Sequence, residues 1–392
     1  MQSSYHFYLP TKVHFGVNSL DRLPEVLKRE NSSHVLIITD KGIVKAGLVE
    51  HVEKKLQELN INYYVFADVE PNPKSTTIEN ALIYAREYNS TLIIAIGGGS
   101  SIDTAKAVAV MSTNEGNILD YEGVGIVEKD PLPTIMIPTT AGTGSEVTAS
   151  TIITDEKTLF KMAIISEKIF PTYAIVDPQL TIGCPSFIIS STGIDALTHA
   201  IESYLSKQKN GIVSELALKA ISLINDNIRA SFFRGNDLES NTKMLEASML
   251  AGMAFSQTRL GNVHAISQAF GGLFDIPHGF ANAVLLPYVL EFNYKAALDD
   301  FCDISKAMSI YDSSKTKNEN AYAVIERILE LNEELGIPKT TKELGVDLEQ
   351  LDVIIRDSMR SGNIHVNPRI TSAEDIKQIV IKSYEGKLKG GK

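Results

Sequence analysis

Cysteine is scarce in this chain of 392 residues, tryptophan is missing, and positive charge is in deficit. Two cysteines, Cys184 and Cys302, can build neither a disulfide framework nor a thiolate metal cluster, and they fit a reducing compartment. The opening stretch MQSSYHFYLPTKVHFG lacks a cationic start followed by an apolar segment, so no secretory signal is read there and the cytoplasm is the expected location. No apolar run approaches the roughly 20 residues that a membrane helix needs. Lys plus Arg number 37 against 48 Asp plus Glu, and the net charge of −11 argues against a nucleic-acid partner. What remains, 44% hydrophobic and 22% charged, is the composition of a soluble globular enzyme long enough for two domains.

The two halves carry different periodicities. Up to about residue 185, short β-branched runs (34–39, 63–66, 92–96, 134–137 and 173–176) alternate with amphipathic stretches such as 49–59, 77–88 and 101–111. That alternation predicts a parallel sheet covered on both faces. Beyond Pro185 the strand signals stop and helical periodicity takes over, as in 188–205, 212–230, 241–257 and 321–335. The expected organisation is an α/β domain over 1–185 followed by an all-helical domain over 186–392.

Only eight histidines are present, and three of them stand near one carboxylate in the middle of the chain. Asp195 and His199 are four apart, so on a helix they share a face and can bite one ion. His264 follows Gly261-Asn262-Val263, and His278 sits in a Pro-His-Gly turn. One carboxylate and three imidazoles make a divalent-metal site with a position left open for water or substrate. The residues alone equally allow a hydrogen-bonded helix face, because buried histidine and carboxylate need partners in any case.

Two loops read as phosphate cradles. Gly97-Gly98-Gly99-Ser100-Ser101 follows an apolar strand and opens a helix, where free N–H groups and the helix dipole suit a pyrophosphate. The G-x-G-x-x-G fingerprint is not met, since Ile102 occupies its third glycine position, and a tight turn capped by serine explains the same residues. The second loop runs from Pro138 through Thr139, Thr140, Gly142, Thr143, Gly144 and Ser145 to Thr148, again after a strand. Two such loops at strand C-termini are what a nucleotide site in an open α/β sheet requires. Asp40 ends another strand, either to bind an adenosine ribose and disfavour a 2′-phosphate, or simply to make the Asp40-Lys41-Gly42 turn.

Taken together, Gly97–Ser100 with Asp103 and Lys106, Pro138–Glu146, Thr192–Glu202, Gly261–His264 and Ile276–Gly279 resemble the iron-dependent (group III) alcohol dehydrogenase family from about Pro10 onward. The resemblance implies the dehydroquinate synthase-like architecture with a Rossmann-like N-terminal domain and a helical C-terminal one, a homodimer or larger assembly, and NAD with Fe(II) as cofactors, Zn(II) or Mn(II) being alternative ions. It implies that Asp195, His199, His264 and His278 bind the metal. It places Gly97, Gly98, Gly99 and Ser100 at the pyrophosphate, Thr139 and Thr140 on the adenine side, Asp40 at the ribose and Lys161 at the nicotinamide half, with Asp103, Thr143 and Ser145 also among the cofactor-binding residues. The implied reaction moves hydride between a primary alcohol or short aldehyde and the nicotinamide ring while the ion polarises the substrate oxygen.

Two positions bear on this. Members commonly have a histidine four residues after the third ligand, and here Gln268 stands there, unable to shuttle protons near neutral pH. Arg259 lies five residues before His264 and either reads a carboxylate, sulfonate or phosphonate on the substrate or serves packing or an interface. The competing functions are a dehydroquinate synthase-like lyase that uses NAD transiently and a non-catalytic nucleotide- or metal-binding relative. The first needs a basic pocket that the few Lys and Arg near the ligands do not supply.

Overall fold

The computed structural model describes residues 4–388. The described residues divide into two compact units, one built from 8–140 and 144–184, the other from 4–7, 141–143 and 185–388.

The first unit contains β1 (Lys12–Phe15), α1 (Leu23–Arg29), β2 (His34–Ile38), α2 (Lys41–Lys45), α3 (Leu48–Glu58), β3 (Asn62–Phe66), α4 (Ser75–Glu87), β4 (Leu92–Gly97), α5 (Gly99–Thr113), β5 (Gly123–Val124), β6 (Thr134–Pro138), β7 (Ser150–Asp155), β8 (Phe160–Ile165) and β9 (Tyr173–Val176). Six strands form a sheet in the order β1-β9-β6-β4-β2-β3, and every pair in it is parallel. The central strands are buried on both faces, which is why they read as continuous apolar runs rather than alternating ones. Successive residues still part to opposite sides. Leu36, Ile38, Ile93, Ala95 and Met136 pack with Ile78, Ala81, Ile102 and Ala105 of α4 and α5, whereas Val35, Ile37, Ile94, Ile96 and Ile135 pack with Val26 and Leu27 of α1 and Val52 and Leu56 of α3.

The strand signals of the sequence account for five of these six strands. The edge strand β1 and a second sheet, β5-β8-β7, were not expected. β7 and β8 form an antiparallel hairpin joined by the exposed turn 156–159, and each strand mixes buried with half-buried positions. Half-buried strands of this kind lack the solid apolar run that marks the parallel core.

The second unit is helical: α6 (Ser186–Leu205), α7 (Gly211–Arg234), α8 (Leu238–Thr258), α9 (Asn262–Phe274), α10 (His278–Asn293), α11 (Leu298–Ala307), α12 (Lys317–Glu334), α13 (Leu351–Arg360) and α14 (Ala373–Glu385). α6 is buried almost all round and forms the axis of this unit, in contact with α7, α8 and α10. Small residues let its neighbours close in. A Cβ on Gly279, at the start of α10, would stand 2.5 Å from the Ser191 carbonyl oxygen of α6. Among the described residues, no helix is long and apolar enough to cross a membrane.

Candidate metal centre and nucleotide cradle

Three helices of the second unit carry the four predicted ligands to one point. Asp195 and His199 occupy adjacent turns of α6, His264 is the third residue of α9, and His278 is the first of α10. One ligand atom from each lies within 4.8 Å of all the others. Asp195 Oδ1 stands 3.9 Å from His199 Nε2, 4.0 Å from His264 Nε2 and 3.9 Å from His278 Nε2. Asp195, His199 and His264 are buried, while the His278 side chain keeps 28% of its surface. A buried carboxylate facing three imidazole nitrogens has the chemistry of a divalent-cation site with one open side.

The electrostatics agree with that chemistry. Burial pushes the Asp195 carboxyl up, but the three imidazoles and the Asn282 amide outweigh it and hold the group below the usual carboxylate range. Burial lowers His199 to about 4 against the pull of Asp195, so its ring is neutral at pH 7, the form that ligates a metal. The tautomers are set from behind. His199 Nδ1 lies 3.3 Å from the Gly142 carbonyl oxygen and His264 Nδ1 lies 2.6 Å from Glu202 Oε2, so each Nδ1–H donates outward and each Nε2 lone pair faces the site. The His199 ring is held between Phe255 at 4.7 Å and His264 at 4.6 Å.

Two residues here were not singled out from the sequence. Glu202 is 4% exposed and also accepts from the backbone N–H groups of Gly261 at 2.9 Å and Val263 at 2.7 Å, so it braces the strand-like approach to α9. Asn282, one turn after His278, donates to Asp195 Oδ1 at 2.6 Å and comes within 3.0 Å of His264 Nε2 and 3.1 Å of His278 Nε2. Their spacings offered a signal: Asp195, His199 and Glu202 follow an i, i+4, i+7 helical face, and His278 and Asn282 repeat the i, i+4 step.

The first unit holds the Gly-rich loop. Gly97 has φ 151°, a conformation for which L side chains are unsuited, and a Cβ there would stand 2.6 Å from Ser101 Oγ. α5 starts at Gly99 with no side-chain cap on Gly98, so its first N–H groups have no partner within the helix. Ser101 Oγ and Thr139 Oγ1 are buried without a hydrogen-bond partner among the described residues. Free helix N–H groups, orphaned hydroxyls and a backbone stripped of Cβ fit a bound pyrophosphate.

Other expected cofactor residues have protein partners of their own. Asp40 Oδ1 caps α2 through the N–H groups of Gly42 at 2.8 Å and Ile43 at 3.1 Å, while its Oδ2 lies 3.5 Å from the Cβ position of Gly97. Thus the turn reading holds for one oxygen, and the other points at the cradle. Asp103 uses both oxygens inside the unit, accepting from Ser145 Oγ at 2.6 Å and from the Ile152 N–H at 3.1 Å. Lys106 is buried, and its ammonium donates to Ser145 Oγ, Thr148 Oγ1 and the carbonyls of Thr148 and Ser150. Asp103 and Ser145 therefore tie α5 to the loop before β7. Lys161 donates to Asn72 Oδ1 at 2.5 Å. Gly98 and Thr140 face each other, a Cβ on the glycine standing 3.4 Å from Thr140 Oγ1. Thr143 groups with the helical unit, next to the Gly142 carbonyl that orients His199.

The chain resembles known proteins along nearly its whole length. Residues 10–178 match the sequence model of iron-containing alcohol dehydrogenase, and residues 189–384 match that of the C-terminal part of the Fe-containing alcohol dehydrogenase family. Alcohol dehydrogenase 4 of Saccharomyces cerevisiae is 38% identical over 387 residues, covering 98% of this chain and 100% of that protein. The NAD-dependent methanol dehydrogenase of Bacillus methanolicus is 35% identical over 375 residues, covering 96% and 98%. The crystal structure of a 1,3-propanediol oxidoreductase superposes with a TM-score of 0.94 at 35% identity, covering 97% of this chain and all of that one. The four-ligand cluster, the Gly-rich cradle and these matches place the chain in the iron-containing alcohol dehydrogenase family.

Proposed function

We propose that the chain is a metal-dependent, NAD(H)-linked alcohol dehydrogenase or aldehyde reductase acting on a primary alcohol or short aldehyde. The observation that carries this is the convergence of Asp195, His199, His264 and His278 within 4.8 Å, in a chain that also holds an uncapped Gly-rich helix start. Asp195 and the three Nε2 atoms would hold Fe(II), with Zn(II) or Mn(II) as the alternatives, and Gly97–Ser100 with Ser101 and Thr139 would hold the pyrophosphate of NAD.

Bound there, the divalent ion supplies Lewis acidity to the substrate oxygen, and the nicotinamide gives or takes the hydride. The chain's own residues do the rest. Asp195 is kept ionised by the imidazoles and the Asn282 amide. His199 is kept neutral by burial. Gly142 and Glu202 fix which nitrogen of His199 and His264 faces the site. Gln268, one turn after His264, offers no titrating group, and its Oε1 lies 3.5 Å from Ser361 Oγ. Gln268 therefore supplies no proton relay at this position. Asp40 Oδ2 directed toward the cradle favours a free ribose 2′-hydroxyl and hence NAD over NADP. A homodimeric or larger assembly and a cytoplasmic location belong to the same reading, from the family resemblance and the cysteine usage.

The test is anaerobic turnover with NADH and a panel of short aldehydes, after the protein is stripped of metal and reloaded with Fe(II), Zn(II) or Mn(II). Restoration by one ion supports the reading. Absence of turnover with every aldehyde, despite stoichiometric metal and NADH binding, refutes it.

A further inference from the structure

Arg259 ends α8 with φ 59° and ψ −172°, a region of backbone space that is essentially reserved for glycine. The conformation is imposed from several sides. The Arg259 N–H donates to the Phe255 carbonyl, Thr258 Oγ1 donates to the Arg259 carbonyl, and the next N–H groups go to Asn363, Glu202 and Asn367. A strained non-glycine residue that the surroundings over-determine is a mark of a functional position. Residues beside it reach the metal ligands. Phe255, one turn earlier on α8, stacks on His199, and Gln268, one turn after His264, meets Ser361 at 3.5 Å. The guanidinium lies against the adjoining Gly362, where a Cβ would overlap Nη1, so the loop after α13 is shaped to admit it.

This guanidinium has no ion pair or hydrogen bond among the described residues. In a chain with 48 acidic side chains against 37 basic ones, an arginine held in a strained, half-buried place without a carboxylate partner stands out. Its five donors form a fork suited to a planar or tetrahedral anion. Arg259, Gln268, Ser361 and Gly362 are all half-buried, and Gly362 against the guanidinium with Ser361 against Gln268 links them. One helical turn, about 5.4 Å, separates Gln268 from His264 along α9, a span that a chain of about two to four carbons bridges.

We propose that Arg259 is a specificity-determining residue that binds an anionic group at the far end of the substrate. The preferred substrates are then short aldehydes or alcohols with a terminal carboxylate, sulfonate or phosphonate. The inference rests on the dehydrogenase reading above for the reacting end of the molecule. Gln268 and Ser361 supply the neutral hydrogen-bonding partners beside the fork, and Gly362 leaves the guanidinium the room it needs.

The test compares 4-oxobutanoate with butanal, aldehydes of equal chain length, in the wild-type holoenzyme, Arg259→Lys and Arg259→Gly. Glycine takes φ 59° and ψ −172° without strain, so that variant keeps the fold. The wild type is expected to favour the anionic aldehyde in kcat/KM by about 10- to 100-fold, Arg259→Gly to bring the ratio near one, and Arg259→Lys to fall between. A structural role would lower both substrates together and leave the ratio unchanged, and a wild-type ratio near one overturns the proposal outright. Calorimetric binding of ethanesulfonate to the same three proteins is the second readout. If no aldehyde turns over, the dehydrogenase reading fails, while loss of ethanesulfonate binding in Arg259→Gly alone still supports the anion site and its persistence overturns it.

Discussion

Removing the carboxylate behind His264 tests the metal centre without touching a ligand. Glu202 receives three donors, the N–H groups of Gly261 and Val263 and the Nδ1–H of His264, in a position only 4% exposed. Glu202→Ala leaves all three buried without an acceptor. At about 1–3 kcal/mol each, partly relieved by entering water, the loss of stability is about 3–5 kcal/mol. Glu202→Gln is the sharper perturbation. Its carbonyl can still accept from the backbone N–H groups, so the fold is kept, but the carboxylate that accepts from His264 Nδ1–H and orients its ring is gone. Partners of this kind contribute about 10- to 100-fold in metal affinity, or about 1.4–2.7 kcal/mol. The assay is competition for Zn(II) and Fe(II) between the protein and a chromogenic chelator, alongside thermal unfolding of the metal-free protein. Metal affinity of Glu202→Gln within twofold of wild type, with its metal-free melting temperature strongly lowered, would show that Glu202 serves only to hold the approach to α9.

Further outcomes follow from the packing and the titrating groups. Gly279→Ala puts a Cβ 2.5 Å from the Ser191 carbonyl oxygen, so α10 must move off α6 and carry His278 with it; chelator competition should show weaker metal binding, and unfolding a loss of about 1–3 kcal/mol. Gly97→Ala forces a side chain onto φ 151° against Ser101 Oγ, and fluorescence titration should show NADH binding weakened at least tenfold with the metal affinity unchanged. Asp40→Gly removes the carboxylate while costing the α2 cap only a few tenths of a kcal/mol, so the NADH-to-NADPH affinity ratio should fall toward one with little change in melting temperature. Glu146 is raised to about 7 by burial, so the folded protein holds a proton that the unfolded chain releases near 4.5. Its contribution to stability therefore declines as pH rises from about 4.5 through 7, by about 3 kcal/mol at most, and Glu146→Gln should flatten that part of the unfolding profile.

Much of this was legible in the residues because the controlling physics is local. The core strands β2, β4, β6 and β9 are apolar on both faces, so their runs in the sequence are uninterrupted. Asp195 and His199 announce their pairing by helical spacing, and the Gly-rich loop by its position between a strand and a helix. The hairpin β7–β8 escaped because its strands mix buried with half-buried positions and it leans on α5 rather than on another long strand. Glu202 and Asn282 escaped for a different reason: helical spacing puts them on the ligand face, but what they meet there exists only once α6, α9 and α10 converge. Asp103 and Ser145, expected along the cofactor, also hydrogen-bond to each other, a pairing between distant positions that no local pattern announces.

The segment 141–143 has a consequence for dissecting the protein. It groups with the helical unit although the residues on either side of it belong to the α/β unit, and it supplies the Gly142 carbonyl on which His199 Nδ1 rests. Severing the chain at 185 would thus deliver a helical fragment with its four ligands and without one of their supports. Chimeras that exchange the two halves between relatives at that junction would inherit the support for His199 from one parent and the imidazole from the other. The metal centre is, in that sense, a property of the uncut chain, and domain shuffling in such a lineage has to carry those three residues along.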